Sequence, residues 1–176
     1  MFTMHKYSVL TAIMMATICL SALAGEISVS VENHAVIRNG RAEARLLVNF
    51  TIPEGVTDST LTFAELTFGI EPEFAPDSVL RLDCFPIRTT WEPGSVGWNY
   101  PWQNPGGDFA EDASAMVTLS PQNEHLAYLD LTEVVRSWLN GTRGNHGLIF
   151  MIPSHIASRY ALRRLPDLPE RAMGNI

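Results

Sequence analysis

Residues 128–152 read YLDLTEVVRSWLNGTRGNHGLIFMI: two strand-like runs with a short amphipathic helix between them. Leu131, Val134, Val135, Trp138 and Leu139 recur at i, i+3, i+4, i+7 and i+8, the spacing of one helical face. Thr132 is placed to cap this helix, Glu133 suits its positive first turn, and Asn140-Gly141 supplies a stop. Asn145-His146-Gly147 then turns the chain into Leu148-Ile149-Phe150-Met151-Ile152, a continuous apolar strand. Two helical turns do not hold themselves together in water. Trp138 must therefore clamp this helix onto a sheet, and the segment reports a β architecture.

Working outward, period-two alternation dominates. Ile27, Val29 and Val31 alternate with Ser28, Ser30 and Glu32, while Ala44, Leu46, Val48 and Phe50 share one face of the next run. Leu61-Phe63 and Leu66-Phe68-Ile70 alternate out of phase, which places a bulge near Ala64-Glu65. Further candidate strands cover 79–85, 116–119, 128–131, 148–152 and 159–165. Breakers fill the gaps at Pro53-Glu54-Gly55, 71–77, 92–112 and Pro121-Gln122-Asn123. About eight short strands, one clamped helix and no internal repeat predict an all-β antiparallel sandwich.

Residues 1–24 carry the marks of an export signal peptide: His5 and Lys6, an apolar run from Val9 to Leu20, and Ala22-Leu23-Ala24 as a cleavage pattern. The run is short for a bilayer span, so no membrane insertion of the mature chain is expected. The domain expected to remain is 25–176, large enough for one core and too small for two. It carries 11 arginines against 19 acids, a balance that disfavours nucleic acid and anionic lipid as partners. Its one cysteine, Cys84, lies in phase with Leu80 and Leu82 and reads as a small buried residue.

The long loop 91–112 holds Trp91, Trp98 and Trp102, three of the four tryptophans, and is the first place to look for a site. Sugar recognition uses flat aromatic faces and planar polar side chains. Tyr100, Trp102, Gln103 and Asn104 supply those types, with Trp91 and Trp98 read as anchors that pin the loop. Arg81 and Arg88, together with Arg159, Arg163 and Arg164, form a second class of contact, suited to an acidic polymer if one face gathers them. Asp108, Glu111 and Asp112 offer hard oxygen ligands for a structural calcium, although their spacing matches no defined calcium loop and a solvated acidic loop is the competing reading. No other cofactor is expected. No nucleophile elbow, zinc-binding helix or phosphate-binding glycine loop occurs, and His34, His125, His146 and His155 are scattered, so no catalytic residue is assigned.

Several pieces in order resemble the DNRLRE-domain family, close to the family 96 carbohydrate-binding modules. They are the strand Arg45 to Phe50 with its following Ile52-Pro53-Glu54-Gly55 turn, the strand Leu61 to Phe68, and Trp91-Glu92 with Trp98-Asn99. The segment Trp102 to Asp108, then Asp130-Leu131-Thr132, Trp138 and Asn145-His146-Gly147-Leu148 complete the set. The six-letter string that names the family is absent, residues 27–38 match poorly, and Leu165-Pro166-Asp167-Leu168 is cut short as a final strand by Pro169. The resemblance implies a jelly-roll topology and a secreted, extracellular or periplasmic, non-catalytic module that binds polysaccharide. The alternative is a structural module of the same fold that meets other cell-surface proteins and no sugar. The strand at Leu61 and the helix after Asp130 also look like pieces of the growth-factor propeptide sandwich, but the tryptophan loop is foreign to it.

Overall fold

In β4, Glu43–Asn49, alternate residues Ala44, Leu46 and Val48 are buried on one face, and Phe50 continues that row just past the strand. This strand belongs to a computed structural model that describes residues 15–22, 25–40, 43–69, 80–113, 115–119 and 126–151. Among the described residues the other strands are β1 Met15–Ala22, β2 Gly25–Ser30, β3 Asn33–Asn39, β5 Leu61–Gly69, β6 Leu80–Pro86, β7 Ala115–Leu119, β8 Leu126–Asp130 and β9 Leu148–Met151. Among the described residues there is also a helix, α1, at Thr132–Leu139, and a 3-10 turn at Glu111–Ala113. The strands make a four-stranded sheet in the order β2-β1-β5-β8 and a five-stranded sheet in the order β3-β4-β9-β6-β7. Every neighbouring pair is antiparallel. The all-β sandwich expected from alternation is the fold found.

Two apolar clusters divide the five-stranded sheet by face. Its inner face contributes Leu46, Val48, Leu82 and Phe150 to a core shared with Leu20, Leu66 and Leu129 of the other sheet. Its outer face carries Ile37, Leu47 and Ile149, packed under Ile87, Trp91 and Trp102. That explains why β9 reads as a continuous apolar run: Leu148 and Phe150 face inward while Ile149 is covered from outside. Cys84 is buried in the inner core as its phase implied. Burial, and then the neighbouring charge of Asp83, push its thiol well above the ordinary value.

Helix α1 is clamped as the spacing requires. Leu131, Val134, Val135 and Trp138 are buried, and the indole meets the Phe50 ring edge-on at 5.5 Å. The cap differs from expectation. Leu131 is the N-cap and has no side-chain cap bond. The Thr132 amide donates to Asp130 Oδ1 at 2.9 Å, while the Thr132 hydroxyl accepts from the Ala64 amide at 3.0 Å. Thr132 thus ties the helix to β5, and the preceding aspartate satisfies the first turn. Gly141 at φ +74° ends the helix, as the Asn-Gly pair suggested.

The bulge in β5 exists but lies earlier than predicted. Register with β1 shifts between Ser21 and Ala22, opposite Phe63 and Leu61, so Leu61, Ala64 and Leu66 face inward and Phe63 turns outward. Residues 27–38 also divide into two strands, one in each sheet, at a corner where the Glu32 amide donates to the Asn49 carbonyl.

The sheet crosses the boundary expected at residue 24. Met15–Ala22, from the segment read as an export signal, lies between β2 and β5, with Leu20 fully buried. The apolar run containing Thr17, Ile18 and Cys19 has the composition of an interior strand, and in this chain it takes that position. Among the described residues no helix is long and apolar enough to cross a membrane. The expected strand at 159–165, the run near 165–169 and the turn regions at 71–77 and 121–123 lie outside the described residues, as do Arg159, Arg163, Arg164, His125 and His155.

Candidate functional site

The tryptophan loop folds back over the outer face of the five-stranded sheet. Its two ends are joined by Arg88 N donating to Asp108 O at 2.8 Å and Ala110 N donating to Pro86 O at 2.9 Å. Trp91 is buried and its indole donates to the His146 carbonyl at 2.9 Å. The His146 ring nitrogen Nδ1 in turn lies 3.1 Å from the Thr90 hydroxyl. Trp98 is half-buried beneath the Arg45 guanidinium, which stands 4.8 Å from its ring centre and 5.6 Å from that of Phe109. Arg45 also donates to the Gly106 carbonyl at 2.8 Å and is held by Glu43 at 2.7 Å. A strand residue therefore fastens the loop by charge, stacking and hydrogen bonding together.

Asp108 organises the loop from within. Its carboxylate accepts from Gln103 N at 2.7 Å, Asn104 N at 3.0 Å, Asn104 Nδ2 at 3.1 Å and Thr89 Oγ1 at 3.2 Å. Burial acts to raise its pKa, but the bonds from Gln103, Asn104 and Thr89 outweigh that and hold it below the ordinary 3.8. Gly107, at φ +113°, lets the backbone run against Ile149, where a Cβ would come within 2.9 Å of the side chain.

Beside this loop is an open cavity of about 680 Å³. Arg88, Gln103, Asn104, Asp108, Glu111 and Asp112, all singled out from the sequence, line it together with Arg45, Thr89 and Phe109. The expected ligand and metal residues thus share one site. Three others do not join them. Trp102, expected as a stacking face, is only 7% exposed, and its indole donates to the Gly97 carbonyl at 2.7 Å. The apolar outer sheet face claims that ring as its lid. Tyr100 is 63% exposed near the tip of the turn closed by Gly97 N and Tyr100 O, away from the cavity lining. Arg81 points outward from β6 and pairs with Asp83 at 2.9 Å.

Two of the acidic trio are drawn into other bonds. Asp112 accepts from Arg143 at 2.8 Å and lies 3.8 Å from Arg88, while both Asp108 oxygens receive loop donors. Among the described residues no three His, Cys, Asp or Glu side chains are grouped to hold a metal. The cavity sets two guanidinium groups against three carboxylates, so it is not a cationic groove of the kind an acidic polymer would need. It offers closely spaced donors and acceptors on a braced loop. Arg45 was missed in the sequence, because in the outward row Glu43, Arg45, Leu47 and Asn49 of β4 it reads as an ordinary solvated strand charge. No protein-family model, curated protein or solved structure matches the chain.

Proposed function

We propose that this chain is an exported, non-catalytic carbohydrate-binding module of jelly-roll type that takes a neutral saccharide in the cavity beside the tryptophan loop. One observation carries the reading: Arg88, Gln103, Asn104 and the Asp108 hub converge on a single open cavity instead of scattering over the surface. Planar amide and guanidinium groups pair with vicinal hydroxyls, and the braced loop limits the ordering cost of binding. The balance of charge favours a neutral polymer over the uronate polymers that the arginines had suggested. The motif resemblance supports the same class of ligand and supplies the jelly-roll reading of the two sheets. The chain works without a cofactor in this proposal.

The test is affinity electrophoresis through neutral glucans, alginate and pectin. Retardation by a neutral glucan, reduced at least about fivefold in Gln103→Ala and Arg88→Ala with unchanged melting temperature, is the expected result. Absence of retardation on every polymer would refute it.

A second reading has its own support. Trp91 and Trp102 are spent on packing, and of the loop aromatics only Tyr100 is largely exposed. A cell-surface interaction module that binds other proteins and no sugar would look this way, and would show no retardation.

A further inference from the structure

On the outer face of the four-stranded sheet, β5 and β8 hold two carboxylates between two exposed aromatic rings. Their register sets Thr67 across from Tyr128, Leu66 across from Leu129 and Glu65 across from Asp130. Leu66 and Leu129 are buried in the core, so alternation turns Thr67, Tyr128, Glu65 and Asp130 to the other side. Phe63 continues that outward row past Glu65. Phe63 is 39% exposed and Tyr128 57%, although large rings are usually drawn into a core. Glu65 and Asp130 stand directly opposite on neighbouring strands, where like charges are destabilising unless a cation joins them. None of the ion pairs among the described residues includes either one. Asp130 accepts only from the neutral Thr132 amide. At the Phe63 end, Arg136 is already engaged by the Leu61 carbonyl, Asp58 and Glu133. The face therefore sets four carboxylates against one occupied guanidinium.

We propose that this face docks an extended, arginine-rich segment of another protein, with arginines at alternate positions. Charge complementarity selects the partner: a cation between Glu65 and Asp130 relieves their repulsion, and the flanking rings attract cations on their faces. Same-side neighbours along a strand lie about 7 Å apart, and adjacent strands about 5 Å apart. One guanidinium between Tyr128 and Asp130 and a second between Phe63 and Glu65 are therefore separated by roughly 7–9 Å. Side chains i and i+2 of an extended chain have that spacing. A guanidinium lies flat on a ring while its edge pairs with a carboxylate, which an ammonium does less well. A neutral saccharide could stack on the rings but would leave the two carboxylates repelling each other. The inference is independent of what the cavity binds, because the cavity and its loop lie on the outer face of the other sheet.

The test titrates the full chain into a fluorescein-labelled peptide of Arg-Ser repeats, and into its Lys-Ser counterpart, and reads anisotropy. The arginine peptide should bind at least about fivefold more tightly than the lysine peptide. Phe63→Ala/Tyr128→Ala, which changes no charge, should weaken it at least about tenfold with the melting temperature unchanged. Glu65→Gln/Asp130→Asn should weaken it as much and melt no lower than the parent, since it removes a like-charge pair. Glu54→Gln/Glu92→Gln, which neutralises two exposed acids elsewhere, should leave binding within about twofold. No binding of the arginine peptide would overturn the proposal. Equal weakening by the Glu54/Glu92 variant would overturn it too, reducing the effect to general attraction by an acidic chain. Equal affinity for the two peptides would overturn the stacking on Phe63 and Tyr128. Neutral-glucan retardation lost in Phe63→Ala/Tyr128→Ala would give the face to a saccharide and overturn the peptide assignment.

Discussion

Replacing Trp138 separates its two roles as a packing ring and a buried donor. The indole is 7% exposed, it meets Phe50 edge-on, and its Nε1 has no hydrogen-bond partner among the described residues. Trp138→Ala removes the ring that holds α1 on the sheet and should cost about 3–5 kcal/mol. That is a large share of the roughly 5–15 kcal/mol available to a domain of this size. Trp138→Phe behaves differently. It keeps an aromatic edge against Phe50 and opens a void of about 40 Å³, a loss of about 1 kcal/mol at ~24 cal/mol per Å³. Against this, it deletes a buried unpaired N–H whose burial costs about 1–3 kcal/mol. The phenylalanine variant should therefore lie within about 1 kcal/mol of the parent, and the alanine variant several kcal/mol below it. Urea unfolding followed by far-ultraviolet circular dichroism measures both, with equal slopes confirming that the same surface is exposed. If Trp138→Phe loses as much as Trp138→Ala, the indole N–H makes a bond that stabilises the fold, and the clamp has been misread.

Other expectations follow from the loop and its turn. Gly147→Ala should destabilise by about 3 kcal/mol or more in the same urea assay, because φ is +87° and a Cβ would collide with the Val48 carbonyl oxygen; a loss under about 1 kcal/mol would contradict the close approach. Trp102→Ala should lower stability by about 3–5 kcal/mol, measured by thermal melting, since the ring is core to the outer cluster; an unchanged melt with weakened saccharide retardation would return it to the binding face. The Asp108 carboxyl is held below its ordinary 3.8, so the stability it contributes is complete above that value and is lost as pH falls through the lower folded value. Asp108→Asn should flatten this acid limb in melts taken between about pH 5 and pH 2; an unaltered limb would show that the loop bonds do not depend on its charge.

Local pattern carried the reading of β4, α1 and β9, because their faces repeat with periods that a sequence displays directly. Ala44, Leu46 and Val48 announce a strand face, and Val134, Val135 and Trp138 a helical one, whatever they pack against. The cavity was partly legible for a similar reason: Gln103, Asn104 and Asp108 are close in sequence, and a short loop keeps them close in space. The tertiary structure decided everything that depends on a partner distant in the chain. Trp102 and Tyr100 look alike in sequence, yet one covers Ile149 and Leu47 while the other meets water, because only the folded sheet has an apolar outer face to claim a ring. Arg45 and Gly106 are 61 residues apart, and the bulge beside Phe63 sits where Thr132, 68 residues beyond Ala64, takes its amide. Periodicity names the faces of each segment. Which face meets which is settled by long-range packing, whose energy no local stretch contains.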